Sequence, residues 1–219
     1  MPRFSCDDPA ERARGIARAI TAASRHQLVV IPTETSYAVA CDAFSPRGVE
    51  RLNEAKGRHP REPLPVMVGS LKAAKAIMGT LYPQGEALIE GFWPGPLTAV
   101  VPQQTTLTWD IGGDTSVVAV RMPLHPVALE VLQGVGPMVV VTANRAGEPV
   151  PLTCDEAQAQ LDTSVTVYLD SGLRPVGEPS TVVDLTEREP AVLRPGAFSE
   201  VELRTVAPDL IGVDDSDDD

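Results

Sequence analysis

A chain of 219 residues with 43% apolar side chains can bury one sizeable core, and its formal charge of −12 excludes a protein that works by bulk attraction to nucleic acid or anionic membrane. Only 4% of its residues are aromatic, so Val, Ala, Leu and Ile must supply the packing, as in α/β enzymes. Cys6, Cys41 and Cys154 stand far apart and His26, His59 and His125 are scattered, which argues against a disulfide framework or a dedicated zinc site; with no apolar leader or bilayer-length run, the sequence predicts a cytoplasmic protein.

Asp7 or Asp8 with Pro9 forms an N-cap and a first-turn proline, and Ala13, Ile16, Ala17 and Ile20 share one face of a first helix ending near Ser24. Leu28 to Ile31 is a continuous apolar run, the pattern of an inner strand covered on both faces, and Tyr37 to Cys41 reads as a second strand. Ser45 and Pro46 open a helix that carries Val49, Leu52 and Ala55 inward as far as Lys56, where Gly57 ends it. Arg58 to Pro63 is a loop, because its prolines lack donors and restrict the residues before them. Leu64 to Val68 returns to a strand, Ser70 caps a short helix, and Gly85 to Phe92 forms another. Trp93-Pro94-Gly95-Pro96 is a rigid turn before a strand from Leu97 to Val101. Gln103 to Thr115 is polar, contains Gly112-Gly113, and is the candidate mobile loop.

Val117 to Arg121 reads as a strand, Pro126 to Val131 as a helix, and Met138 to Val141 as a buried strand that hands over to Thr142-Ala143-Asn144. Thr153 caps a helix over Asp155 to Leu161, and acidic residues in its first turn suit the helix dipole. Val165 to Leu169, Thr181 to Leu185 and Ala191 to Leu193 are further strands, with turns at Asp170-Ser171-Gly172 and Gly177-Glu178-Pro179. No repeat or low-complexity linker divides the chain. The sequence therefore predicts one mixed α/β domain over residues 9–207 and an acidic, disordered tail over residues 208–219.

The familiar phosphate and protease motifs are missing: there is no G-x-x-x-x-G-K-[ST], no G-x-G-x-x-G and no H-E-x-x-H, and no Ser-His-Asp or Cys-His arrangement stands out. Positioning and charge neutralisation are then favoured over covalent catalysis. What remains is a series of polar groups after strands or turns: Thr33 and Thr35, Lys56 and Arg58, Arg121, Thr142 and Asn144, Ser180 and Thr181, and Arg194. Open α/β sheets bind ligands at such strand ends, so these segments could converge on one anionic ligand. Each also has a plainer explanation. Pro-Thr-Glu-Thr can be a simple turn, Lys56 and Arg58 a solvated helix end, Arg121 and Arg194 surface ion pairs worth about 0–1 kcal/mol, and Ser180 to Asp184 an ordinary strand.

Taken in order, Pro32-Thr33-Glu34-Thr35-x-Tyr37, Lys56-Gly57-Arg58 with Pro63-Leu64, Trp93-Pro94-Gly95-Pro96-Leu97-Thr98, Val120-Arg121-x-Pro123-x-His125-Pro126, Ala143-Asn144-x-x-Gly147, Ser180-Thr181-Val182-Val183-Asp184 and Leu193-Arg194-x-Gly196-Ala197 resemble the motifs of the YrdC-like threonylcarbamoyl-AMP synthases, in their single-domain bacterial form. The resemblance runs from about Leu28 to Ala197. It implies a twisted α/β fold, a mixed parallel and antiparallel sheet flanked by helices with a concave ligand cavity. It implies that L-threonine, bicarbonate and ATP, with Mg²⁺, become threonylcarbamoyl-AMP and pyrophosphate, and that a separate transferase system passes the product to tRNA.

Carried over by residue, the resemblance implies that Thr35, Arg121, Thr142 and Ser180 hold threonine, that Lys56, Arg58, Asn144 and Arg194 face ATP, and that Lys56 and Arg58 are catalytic. It assigns no protein ligand to a metal. The residue types suit these roles, since cations neutralise a triphosphate and arginine pairs bidentately with a carboxylate. Some positions depart from the family pattern. Ala38 and Ala40 replace usual glycines, Thr142 a usual serine, Val117 and Val150 hydroxyl residues, and Leu152 a threonine, with Ser116 and Thr153 adjacent as substitutes. Two other readings stand beside the synthase. One is an RNA-binding or accessory paralogue, with Lys56 to Arg61 as a patch for weak RNA binding; the other is a paralogue that adenylates a different carbamate.

Overall fold

The computed structural model describes residues 1–113, 116–174 and 178–213. Arg3–Ser5 (β1) precedes Pro9–Ala23 (α1), which Asp8 caps by accepting from the Glu11 N–H. Leu28–Pro32 (β2) and Tyr37–Asp42 (β3) form an antiparallel pair, followed by Pro46–Lys56 (α2), which Ser45 caps and Gly57 closes in the left-handed region at φ 68°. Val66–Met67 (β4), Leu71–Ile77 (α3), Pro83–Phe92 (α4), Leu97–Pro102 (β5), Val117–Arg121 (β6), Pro126–Val135 (α5) and Met138–Thr142 (β7) come next. The last described elements are Cys154–Leu161 (α6), Val165–Asp170 (β8), Thr181–Asp184 (β9), Ala191–Arg194 (β10) and Glu200–Arg204 (α7).

The ten strands among the described residues form one mixed sheet in the order β1-β8-β2-β3-β7-β4-β6-β5-β9-β10. β1 and β2 pair with β8, β4 with β6, and β5 with β9 in parallel, while the remaining neighbours are antiparallel. The apolar run of β2 follows from its place inside this sheet. Leu28 and Val30 face one core and Val29 and Ile31 the other, so neither face can be polar. On the second face α1 and α5 lay Ile16, Ala19, Val127 and Val131 over the sheet. On the first face α2, α3, α4, α6 and α7 contribute Leu52, Ile77, Leu88, Leu161 and Leu203. Truncating any of these fully enclosed leucines to alanine should cost about 2–5 kcal/mol.

The structure differs from expectation in four places. β4 holds only two residues instead of Leu64 to Val68, because Pro63 and Pro65 flank Leu64 without backbone donors. α5 continues past Val131 to Val135. The packed domain is wider than residues 9–207, since β1 pairs with β8, Leu210 is buried, and the Ile211 N–H donates to the Pro190 carbonyl at 2.8 Å. The predicted tail therefore starts too early at residue 208; its residues 214–219 lie outside the described residues. Lastly, the segment from Gln103 carries buried apolar residues that its polar composition did not suggest. Trp109 and Ile111 are buried, and the Trp109 Nε1–H donates to Gln103 Oε1 at 2.7 Å. Thr115 of this segment and Gly177 of a predicted turn lie outside the described residues. Among the described residues no helix is long and apolar enough to cross a membrane.

Candidate functional site

Seven strands adjacent in the sheet, β3, β7, β4, β6, β5, β9 and β10, all contribute lining to one cavity of about 570 Å³. Laid flat, seven strands at about 4.8 Å spacing would span about 29 Å, whereas a sphere of that volume is about 10 Å across. The sheet must wrap around the cavity to line it. Much of the wall is valine, including Val66, Val118, Val140 and Val182, and polar groups enter where strands begin or end.

After β2, the Thr33 hydroxyl donates to the Ser36 carbonyl at 2.8 Å and accepts from the N–H groups of Ser36 at 3.1 Å and Thr35 at 3.3 Å. This turn places the Thr35 hydroxyl 3.1 Å from Thr33 Oγ1, with both threonines on the cavity wall. Arg121 ends β6 and is buried; its Nε–H donates to the Gly95 carbonyl at 3.2 Å, and Nη2 pairs with Glu34 Oε1 at 2.5 Å. Ser180 leads into β9 with its hydroxyl 2.9 Å from Thr98 Oγ1. The Arg194 Nη2 donates to the Ser180 carbonyl at 2.7 Å and to its hydroxyl at 3.1 Å. Gly196 permits this approach, because a Cβ there would stand 2.3 Å from the Pro179 carbonyl oxygen and 2.6 Å from the Thr181 nitrogen. Although Arg194 is exposed as a residue, burial of its guanidinium and then the charge of Arg121 hold its pKa below the ordinary value. Two mutually repelling cations in a largely apolar wall favour an anionic ligand.

Thr35, Arg121, Thr142, Ser180 and Arg194 thus line the cavity, whereas Lys56, Arg58 and Asn144 do not. Lys56 is buried at the end of α2, and its Nζ donates to the carbonyls of Thr142 and Asn144, both at 2.6 Å, and to Asn144 Oδ1 at 3.2 Å. The Asn144 amide donates onward to the Glu148 carbonyl at 2.7 Å. Lys56 and Asn144 thus direct their polar ends at each other and at the chain leaving β7. The chain leaving β7 has carbonyls that need donors, and the helix end supplies them. Burial and then the Arg58 charge lower the Lys56 pKa to about 8. Arg58 stands at the rim: its Nε–H donates to Glu62 Oε2 at 3.0 Å, and Nη2 comes within 3.4 Å of the carbonyl of Pro63, a cavity residue. The run Lys56 to Arg61 therefore offers RNA less charge than its sequence suggests, with one cation buried and another paired.

Two residues of the recognised motifs acquire contacts that the sequence did not reveal. Glu34 pairs with Arg121 and also accepts from the Leu124 N–H at 3.1 Å. The only signal was a carboxylate set between two threonines at a strand end. The Tyr37 phenol lies 2.7 Å from the Gly172 carbonyl oxygen and 3.0 Å from Asp170 Oδ1, and accepts from the Ser171 N–H at 2.9 Å, so it ties β3 to the exit of β8. Among the departures, Ala38 and Val117 line the cavity and Ala40 is fully buried. Thr153 cannot replace the hydroxyl lost at Leu152, because its own caps α6 by accepting from the Glu156 N–H at 3.2 Å.

Residues 21–196 match the Sua5, YciO and YrdC family model, described as Telomere recombination. The chain belongs to the Sua5/YciO/YrdC family. One family member, a Mycobacterium tuberculosis protein named provisionally as a threonylcarbamoyl-AMP synthase, is 44% identical over 96% of this chain and 95% of its own. The threonylcarbamoyl-AMP synthase of Pyrococcus abyssi is 34% identical over 84% of this chain and 54% of its own. A structure of P. abyssi Sua5 complexed with L-threonine matches with a TM-score of 0.88 at 30% identity, covering 97% of this chain and 62% of that one. Escherichia coli YciO, at 21% identity and a TM-score of 0.77 over 90% of this chain and 95% of its own, shares the fold. The mixed sheet flanked by helices, implied by the sequence motifs, is the architecture of this family.

Proposed function

We propose that this chain is an L-threonylcarbamoyladenylate synthase, joining L-threonine, bicarbonate and ATP into threonylcarbamoyl-AMP with release of pyrophosphate and water. The observation that carries this reading is the single cavity in which the cations Arg121 and Arg194 meet the hydroxyls of Thr35, Thr142 and Ser180. A P. abyssi relative with the same fold is known in complex with L-threonine, which supports threonine as the ligand of this cavity.

In this mechanism Arg121 takes the threonine carboxylate, and the hydroxyls of Thr35, Thr142 and Ser180 orient the amine and side chain. The amine nitrogen bonds to the bicarbonate carbon as water leaves. A carbamate oxygen then attacks the α-phosphorus in line while the bond to the pyrophosphate oxygen breaks. Arg194 in the wall and Arg58 at the rim neutralise charge on the departing group, and Lys56 with Asn144 holds the segment that carries Thr142. Mg²⁺ would enter with the ATP phosphates and neutralise charge there. The product, a mixed carbamic-phosphoric anhydride, goes to a cytoplasmic transferase system that passes the threonylcarbamoyl group to tRNA. Direct RNA binding plays at most a weak part, given the paired and buried basic run.

The test is pyrophosphate release with ATP, threonine and bicarbonate, each omitted in turn. Release should fall to background without any one of them; release undiminished by leaving out threonine overturns the proposal.

A further inference from the structure

We infer that Glu34 is a positioning residue that acts through Arg121, turning one chosen edge of the guanidinium toward the ligand. The inference rests on the synthase reading for the identity of that ligand, a free amino-acid carboxylate. A guanidinium carries five N–H donors arranged along three edges. In Arg121 the Nε–H is taken by the Gly95 carbonyl and Nη2 is paired with Glu34 Oε1, so two of its three nitrogens are held by protein. Both Nη1 hydrogens and the second Nη2 hydrogen remain, and among the described residues no acceptor meets Nη1. Nη1 and Nη2 form the end-on fork, whose two parallel N–H bonds match the two oxygens of a carboxylate. Arg121 lines the cavity, so this is the edge left for a ligand.

Glu34 is itself fixed. Its side chain is 18% exposed, its Oε1 also accepts from the Leu124 N–H, and it belongs to the same turn that sets the Thr35 hydroxyl. One turn thereby places two groups for one ligand. The carboxylate is held through a single oxygen, because among the described residues Oε2 is buried without a hydrogen-bond partner. A glutamine with its amide oxygen in the Oε1 position keeps both contacts and loses the charge. An aspartate keeps the charge and loses the reach. These two substitutions separate a positioning role from a purely electrostatic one, in which Glu34 would merely offset the Arg121 and Arg194 cations.

The experiment measures the threonine dissociation constant by calorimetry and the KM values for threonine and ATP, for wild type, E34Q, E34D, E34A and R121A with and without E34A. E34A should weaken threonine binding by about tenfold to a hundredfold, as for loss of a charge-assisted hydrogen bond, with the ATP KM changed by less than about threefold. E34Q should recover most of the affinity and E34D should not. In the R121A background E34A should have no further effect on threonine, since the residue it positions is gone. The inference is overturned if E34D binds like wild type while E34Q binds like E34A, if threonine affinity is unchanged in all three, or if E34A weakens binding equally with and without Arg121. Wild-type turnover that ignores threonine would instead remove the synthase reading, so the two failures are distinct. E34Q and E34D keep the site filled, so the comparison survives even if E34A folds poorly.

Discussion

Replacing Lys56 with methionine tests whether the ammonium is a buried clamp. Methionine preserves most of the apolar stem but removes every donor, leaving the Thr142 and Asn144 carbonyls and Asn144 Oδ1 without contacts now at 2.6, 2.6 and 3.2 Å. An orphaned buried acceptor costs about 1–3 kcal/mol, so three set an upper bound of about 9 kcal/mol. Two effects reduce it. Methionine avoids the desolvation that lowers Lys56 to about 8, and water can enter from the open groove that Lys56 also borders. A net loss of about 2–4 kcal/mol remains, or about 4–16 °C in melting midpoint for a chain of this size. The pH dependence gives an independent check. Between about pH 8 and 10.5 the unfolded chain keeps a proton at this side chain that the native state has released, so this group makes stability rise with pH through that window. Urea midpoints of wild type and K56M from pH 7 to 10.5 should therefore diverge as pH rises. Stabilities that agree within about 0.5 kcal/mol at neutral pH would refute the clamp, and parallel pH curves would refute the lowered pKa.

Three further outcomes are expected. Gly196→Ala places a Cβ against the Pro179 carbonyl and the Thr181 nitrogen, so thermal unfolding should show a loss of about 1–3 kcal/mol and activity should fall as Ser180 and Arg194 separate. His125 accepts from the Arg174 Nη1–H at 2.9 Å, and burial with the Arg174 charge lowers its pKa to about 4. The unfolded chain therefore takes up a proton between about pH 6.5 and 4 that the native state refuses; stability should decline as pH falls through that range, less steeply in H125Q. L-Serine should be used with a kcat/KM about 10–200-fold below that of threonine, since one methyl contact is worth about 1–3 kcal/mol.

The elements were legible where a local rule fixes them: Asp8 and Ser45 as caps, Gly57 as a helix stop, and β2 as a doubly covered strand. β1 was not, because three residues carry no usable periodicity and are strand only by pairing with β8. The site was legible as a set of residue types and not as a geometry. Thr35, Arg121, Thr142, Ser180 and Arg194 do share a wall, but nothing local to Lys56 and Asn144 shows that they bond to each other. The Glu34 and Arg121 pair joins residues 87 positions apart, and such partnerships are made by the sheet order.

That order has a mechanical corollary. β4 is the sheet's narrow seam: two residues, Val66 and Met67, bridge β7 on one bank to β6 on the other. Thr35 and Thr142 stand on the first bank, and Arg121, Ser180 and Arg194 on the second. A ligand that engages both sets sutures the two banks where the backbone ladder is thinnest. The Glu34 and Arg121 ion pair already crosses at the same place, so loss of Glu34 would loosen the join as well as unset the arginine.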